Sequence, residues 1–139
     1  MKNTEECDLN TTFYKNLVMN GLFHGELMSI PEDYYLGFSK TLPDIDGTGV
    51  MEPSRTGTGY TRIRLENMTK SNTGVIYNTN VISFPESELE WGEMTAYVVY
   101  DSVSDGNLLF YGNLSKNITV DANTAVTIPA GQMVISLLD

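Results

Sequence analysis

After Pro31 the chain never returns to helical periodicity, and that single shift limits the folds open to it. Residues 9–24, LNTTFYKNLVMNGLFH, place Phe13, Leu17, Val18, Leu22 and Phe23 near helical spacing. Asn10, Thr11 and Thr12 are candidate N-caps, and Gly25 lies beyond the end. Everything downstream is short runs rich in β-branched and aromatic residues, parted by Gly, Pro, Asn and Asp. The pattern predicts strands over 34–39, 60–66, 74–84, 94–101, 108–114, 118–120, 125–128 and 133–138. In 61–65, Ile63 and Leu65 share one parity while Arg62 and Arg64 take the other, which predicts a one-sided strand. MTAYVVY (94–100) and MVISLL (133–138) are apolar on both parities, so both faces of those strands are expected to be covered. With no βαβ alternation, the expected fold is mainly β. It is an antiparallel β-sandwich, jelly-roll-like and of about eight strands, preceded by one N-terminal α-helix over about 9–24. At 139 residues and 41% hydrophobic content, one such domain over 9–139 accounts for the chain, behind a flexible acidic tail over 1–8.

The stretch EWGEMTAYVVYDSVSDGNLLFYGNL, 90–114, is dense in strand signals and poor in chemistry. It reads as the central hairpin. Asp105 and Gly106 supply the positive φ of its turn, Trp91 anchors the core, and Gly92 permits a sharp entry. Tyr97, Val99, Leu108 and Phe110 complete the predicted core set, while Phe13, Leu17, Leu22 and Phe23 form a candidate assembly helix.

Other signals are weaker. The 42–59 loop, LPDIDGTGVMEPSRTGTG, is too long for a simple turn. In it Asp44, Asp46 and Thr48 alternate as calcium ligands would, but Arg55 stands where a bidentate glutamate is needed, which favours an Asx-rich turn. His24 reads as a helix cap and Cys7 as an incidental thiol; no disulfide or thiolate cluster can be built from one cysteine. Glu86, Glu88 and Glu90 read as charges guarding a strand edge, and the scattered methionines Met19, Met28, Met51, Met68, Met94 and Met133 as core filler. The tyrosines Tyr34, Tyr35, Tyr60, Tyr77, Tyr97, Tyr100 and Tyr111 suit a core or an interface; a sugar-stacking platform of Trp91 or paired tyrosines is the alternative. A formal charge of −10, with no Lys or Arg between Ser71 and Ser115, argues against nucleic-acid binding. No apolar leader or membrane-length segment is expected.

The order of motifs resembles a family of small tailed-bacteriophage virion structural proteins, commonly described as phage tail-fibre-like proteins. The residues carrying the resemblance are FYKNLVMNGLFHG, YYLGFSKTLP, DGTGVMEPSRTGTGYTRIRL, NVISFPESELEWGEMTAYVVYDSVSDGNLLFYGNLSKNITV and IPAGQMVISLL, from about Thr12 to Leu138. The chain departs from the family pattern in a longer acidic N-terminal tail and more methionine. The resemblance implies a non-enzymatic structural protein, made in the bacterial cytoplasm and placed in the virion, with no catalytic residue, cofactor or metal. Its expected partners are other phage structural proteins and further copies of itself, a trimer being favoured by closed symmetry. Two alternatives stand beside a tail-fibre role: capsid decoration or a head fibre, and a carbohydrate-binding module that recognises a host-surface glycan.

Overall fold

A computed structural model describes residues 11–23, 33–70 and 75–136. It contains one helix, α1 (Thr12–Phe23), then strands β1 (Tyr35–Ser39), β2 (Ile63–Arg64), β3 (Met68–Lys70), β4 (Val75–Asn78), β5 (Ile82–Ser83), β6 (Gly92–Tyr100), β7 (Leu108–Val120), β8 (Thr127–Ile128) and β9 (Val134–Ser136). All strand pairs are antiparallel and fall into three sheets: β2-β1-β6-β7, β3-β4-β9 and β5-β8. The described residues are therefore mainly β with one helix. The predicted tail at 1–8, with Cys7, lies outside the described residues, as do His24, Gly25 and Met28.

The strands differ from the sequence pattern in several places: β3 falls between two predicted strands, β8 and β9 cover less of 125–128 and 133–138 than expected among the described residues, and three further differences have a local reason. The predicted strand at 74–84 is two strands in different sheets, because the chain turns after Asn78. The buried Asn78 amide donates to the Asn80 and Pro129 carbonyls and accepts from Met133 N, so it ties the turn to the β8–β9 connection. The predicted 108–114 and 118–120 strands are one strand, β7, with a bulge: Ala96 faces Asn113 while Met94 faces Ile118. Of 60–66 only Ile63 and Arg64 are strand; on one side Tyr60 and Arg62 serve a side-chain cluster described below.

The core lies on one face of the four-stranded sheet. Leu36, Phe38, Met94, Val99 and Leu109 from that sheet pack in one cluster with Ile82, Phe84, Trp91, Val126 and Met133. The opposite face carries a second cluster, Val98, Tyr100, Leu108 and Tyr111, against which Val50 of the 42–59 loop packs. MTAYVVY is thus covered on both faces, and the loop is long because it closes the second one. Met94 and Val99 join the same core cluster although their numbers differ by an odd step, and the register of β6 against β7 is irregular between Met94 and Ala96. Among the described residues no helix is long and apolar enough to cross a membrane.

Candidate functional site

The residues of the predicted hairpin differ in their surroundings. Trp91 is 1% exposed, donates its indole N–H to the Thr58 carbonyl at 2.9 Å and meets Tyr60 edge-on at 5.2 Å between ring centroids. A buried indole of this kind has no face left for a sugar. Gly92 has φ 91°, the sharp entry to β6. Val99, Leu108 and Phe110 are buried, while Tyr97 is half-buried and lies opposite Gly112. At the turn, Asp105 and Gly106 have φ of 54° and 78°, and the Asp101 carboxylate accepts from both Asn107 N and its side-chain amide. The other tyrosines divide between buried (Tyr60, Tyr100, Tyr111) and half-buried (Tyr34, Tyr35, Tyr77).

Among the described residues, helix α1 is fastened at its first turn. Thr11 is its cap: the hydroxyl accepts from Tyr14 N and donates to the Leu108 carbonyl at 2.6 Å. Thr11 N and Thr12 N donate to the carbonyls of Leu109 and Ile45, and the Tyr14 and Phe110 rings lie 4.8 Å apart. Beyond that first turn the helix buries no residue fully. Leu17 is half-buried, whereas Leu22 and Phe23 are 68% and 72% exposed. Phe13 also differs from its predicted companions, because it lies on the wall of a polar cleft.

That cleft, of about 510 Å³, opens between α1, the 42–59 loop and the β6–β7 turn. Its floor is a pair that sequence parity did not suggest. Arg62 was expected on the polar side of a one-sided strand, but it is 5% exposed. Its Nε and Nη2 donate to the two oxygens of Glu52 at 3.0 and 2.8 Å, and Nη1 donates to the Ser102 and Asp105 carbonyls, each at 2.8 Å. The guanidinium lies 3.5 Å from the centroid of the Tyr100 ring. Tyr60 donates its hydroxyl to Glu52 at 2.6 Å and accepts from Phe38 N. Burial pushes the Glu52 carboxyl upward, but the hydrogen bonds from Arg62 and Tyr60 and the charges of Arg62 and Arg55 outweigh it and hold the group below its ordinary value. Burial, reinforced by the Glu52 charge, drives the Tyr60 phenol far above its ordinary range. Burial also raises Tyr100, with the Arg62 charge opposing. No local signal marks Glu52 and Arg62 as partners, since the pairing depends on a loop folding across the sheet.

The remaining candidates are placed as follows. Asp46 accepts from Thr48 N at 3.0 Å and from the Thr48 hydroxyl at 2.6 Å, bonds that hold its carboxyl below the usual value, and Asp44 N donates to the Thr48 carbonyl. This is an Asx turn. Arg55 reaches the Val103 carbonyl. Glu86, Glu88 and Glu90 are exposed on the connection between β5 and β6 rather than along a strand edge. Met94 and Met133 are buried, but Met19 and Met51 are 51% and 53% exposed and fill no core.

In comparisons with known proteins, a family model described as Podophage GP4 fiber I protein gp80 matches residues 10–136. No curated protein matches the chain.

Proposed function

The chain belongs to the podophage GP4 fiber I protein gp80 family, and from that premise we propose that it is a non-enzymatic, tail-associated structural part of the phage particle that acts through protein–protein assembly. The observation that carries this reading is α1. The helix is pinned to β7 at its first turn, has Lys15 as its one charged residue, and leaves Met19, Leu22 and Phe23 in water. An isolated surface helix is normally polar on its outer face. This one exposes Met19, Leu22 and Phe23 beside the uncharged Asn16 and Asn20, which suits an element that is buried on assembly while the β-domain faces outward.

On the same reading, the four-stranded sheet and the two small sheets are the layers of a jelly-roll-like sandwich; the shared core of Leu36 and Val99 with Ile82 and Val126 supports this. The assembly is a homo-oligomer, with a trimer as the favoured closed ring. Capsid decoration or a head fibre remains the second location, and immunogold labelling of intact particles separates head from tail.

The test of the assembly reading is the Leu22→Asp, Phe23→Asp double variant. Both side chains are exposed, so the urea midpoint of the purified protein is expected to stay within the small range typical of surface changes. Incorporation into particles is expected to be lost. Normal incorporation of this variant would overturn the role given to α1.

A further inference from the structure

We propose that the groove between the second half of β7 and the β8–β9 segment binds an extended, carboxylate-bearing peptide of a partner protein. The groove has a volume of about 420 Å³. Buried Leu36, Phe38 and Met133 line its depth, and the part-exposed Leu114, Ile118 and Ile128 line it nearer to water. Charge sets the sign of the ligand. The chain carries 18 Asp and Glu against 8 Lys and Arg, yet the described residues of the lining include no Asp or Glu. They do include Lys116, the one Lys or Arg that follows Lys70. Its ammonium is exposed and has no ion-pair or hydrogen-bond partner among the described residues. An incoming carboxylate therefore finds a cation there and no like charge beside it.

The backbone narrows the ligand to a peptide. Among the described residues β7 is the last strand of its sheet, β8 pairs with β5 alone and β9 with β4 alone. Ala96 faces Asn113 and Met94 faces Ile118, so Thr95 stands against all of Leu114–Asn117. The ladder to β6 cannot use every N–H and C=O of that stretch, and an added strand can take up the remainder. The Ser115 and Thr127 hydroxyls and the Gln132 amide line the same groove and have no hydrogen-bond partner among the described residues. A lipid tail would leave these groups unanswered, and a helix keeps its own backbone bonds to itself. An extended segment satisfies both demands, placing alternate apolar side chains inward and its main chain against β7. Helix α1 meets β7 at Leu108 and Leu109, the other end of the strand. The groove is thus a surface apart from α1, and its occupancy does not depend on what α1 docks against.

The experiment is amide NMR of the isotope-labelled full chain, titrated with acetyl-Glu-Val-Glu-Val-Glu-Val-amide and with its Lys-for-Glu counterpart. Salt is kept at about 0.02 M, where exposed charges are weakly screened. The acidic peptide is expected to shift the amides of Ser115, Lys116 and Thr127 in a saturable way. It should bind several-fold more tightly than the basic one, the scale of one exposed charge contact. Lys116→Glu is expected to reverse that preference while leaving the thermal midpoint within the range of surface changes. Alternate N–H groups of a strand face one edge. Methylating the backbone nitrogens of the valines, or else those of the glutamates, should therefore weaken binding about tenfold in one of the two series. No response to the acidic peptide overturns the proposal, as does a preference that survives Lys116→Glu. Equal shifts by sodium octanoate, with N-methylation without effect in both series, would make the groove an acyl-chain site and also overturn it. A peptide affinity that falls as the protein is concentrated would place a second copy there, with the same consequence. Because the readout is on the free protein, its failure leaves the particle-assembly test untouched.

Discussion

Glu52 and Arg62 form an ion pair largely out of water, with their side chains 16% and 4% exposed, and its behaviour follows from desolvation. Removing one partner of a buried pair strands the other charge, which is more damaging than losing a surface bridge. Glu52→Gln is therefore expected to destabilise the fold by about 3 kcal/mol at neutral pH, measured by urea unfolding. The pH dependence has a definite sign. Glu52 is held below its ordinary value in the folded protein, so its contribution is fully present above the unfolded carboxylate pKa of about 4.3. That contribution fades as pH falls through the lower folded value. The gap between wild type and Glu52→Gln should accordingly narrow as pH is taken below about 4, and a gap that persists unchanged would rule out the charged pair as its origin. Gly37 belongs to the same cluster, since a Cβ there would stand 2.5 Å from the Tyr60 hydroxyl. Nothing in YLGFS distinguishes that glycine from one that merely loosens a strand.

At the level of elements, periodicity reports type better than extent. The helix was visible in the spacing of Phe13, Leu17 and Leu22, and Thr11 was one of three neighbouring cap candidates. What singled Thr11 out is that its hydroxyl also reaches the Leu108 carbonyl of β7. Thr11→Ala is expected to remove both interactions and destabilise the protein by about 1–2 kcal/mol. Amide exchange should show α1 losing protection well before β6 and β7 do. Uniform loss across all three would mean that the cap does not act as the hinge between helix and sheet. The hairpin was legible because Asp105-Gly106 is a turn signal with apolar runs on both sides. The bulge in β7 was not, because LSKN at 114–117 carries the same polar residues a loop would.

For the molecule as a whole, a formal charge of −10 sets copies of the chain against each other at long range. Association must then pass through a surface poor in carboxylates, and α1 contains no Asp or Glu. Sedimentation of the full chain should show self-association that strengthens as salt rises from about 0.01 to 0.15 M, because screening shortens from about 30 to 8 Å. The Leu22→Asp, Phe23→Asp variant should remain monomeric at both. Weakening with salt would point instead to ion pairs between copies.

The sequence by itself determined the class of fold, one helix followed by antiparallel strands, because the 3.6 and 2 residue periods are local properties of the chain. It also carried the expectation that both faces of MTAYVVY are covered, since apolar residues lie on both parities. Only the tertiary structure decided what supplies that cover. The 42–59 loop crosses the second face, Val50 packs there, and the crossing brings Glu52 to Arg62 and opens the cleft beside Phe13. Such pairings join residues whose neighbours in sequence carry no record of them. A charge beside a strand is written identically whether it meets water or a buried carboxylate, and its fate is set by whatever segment folds across it.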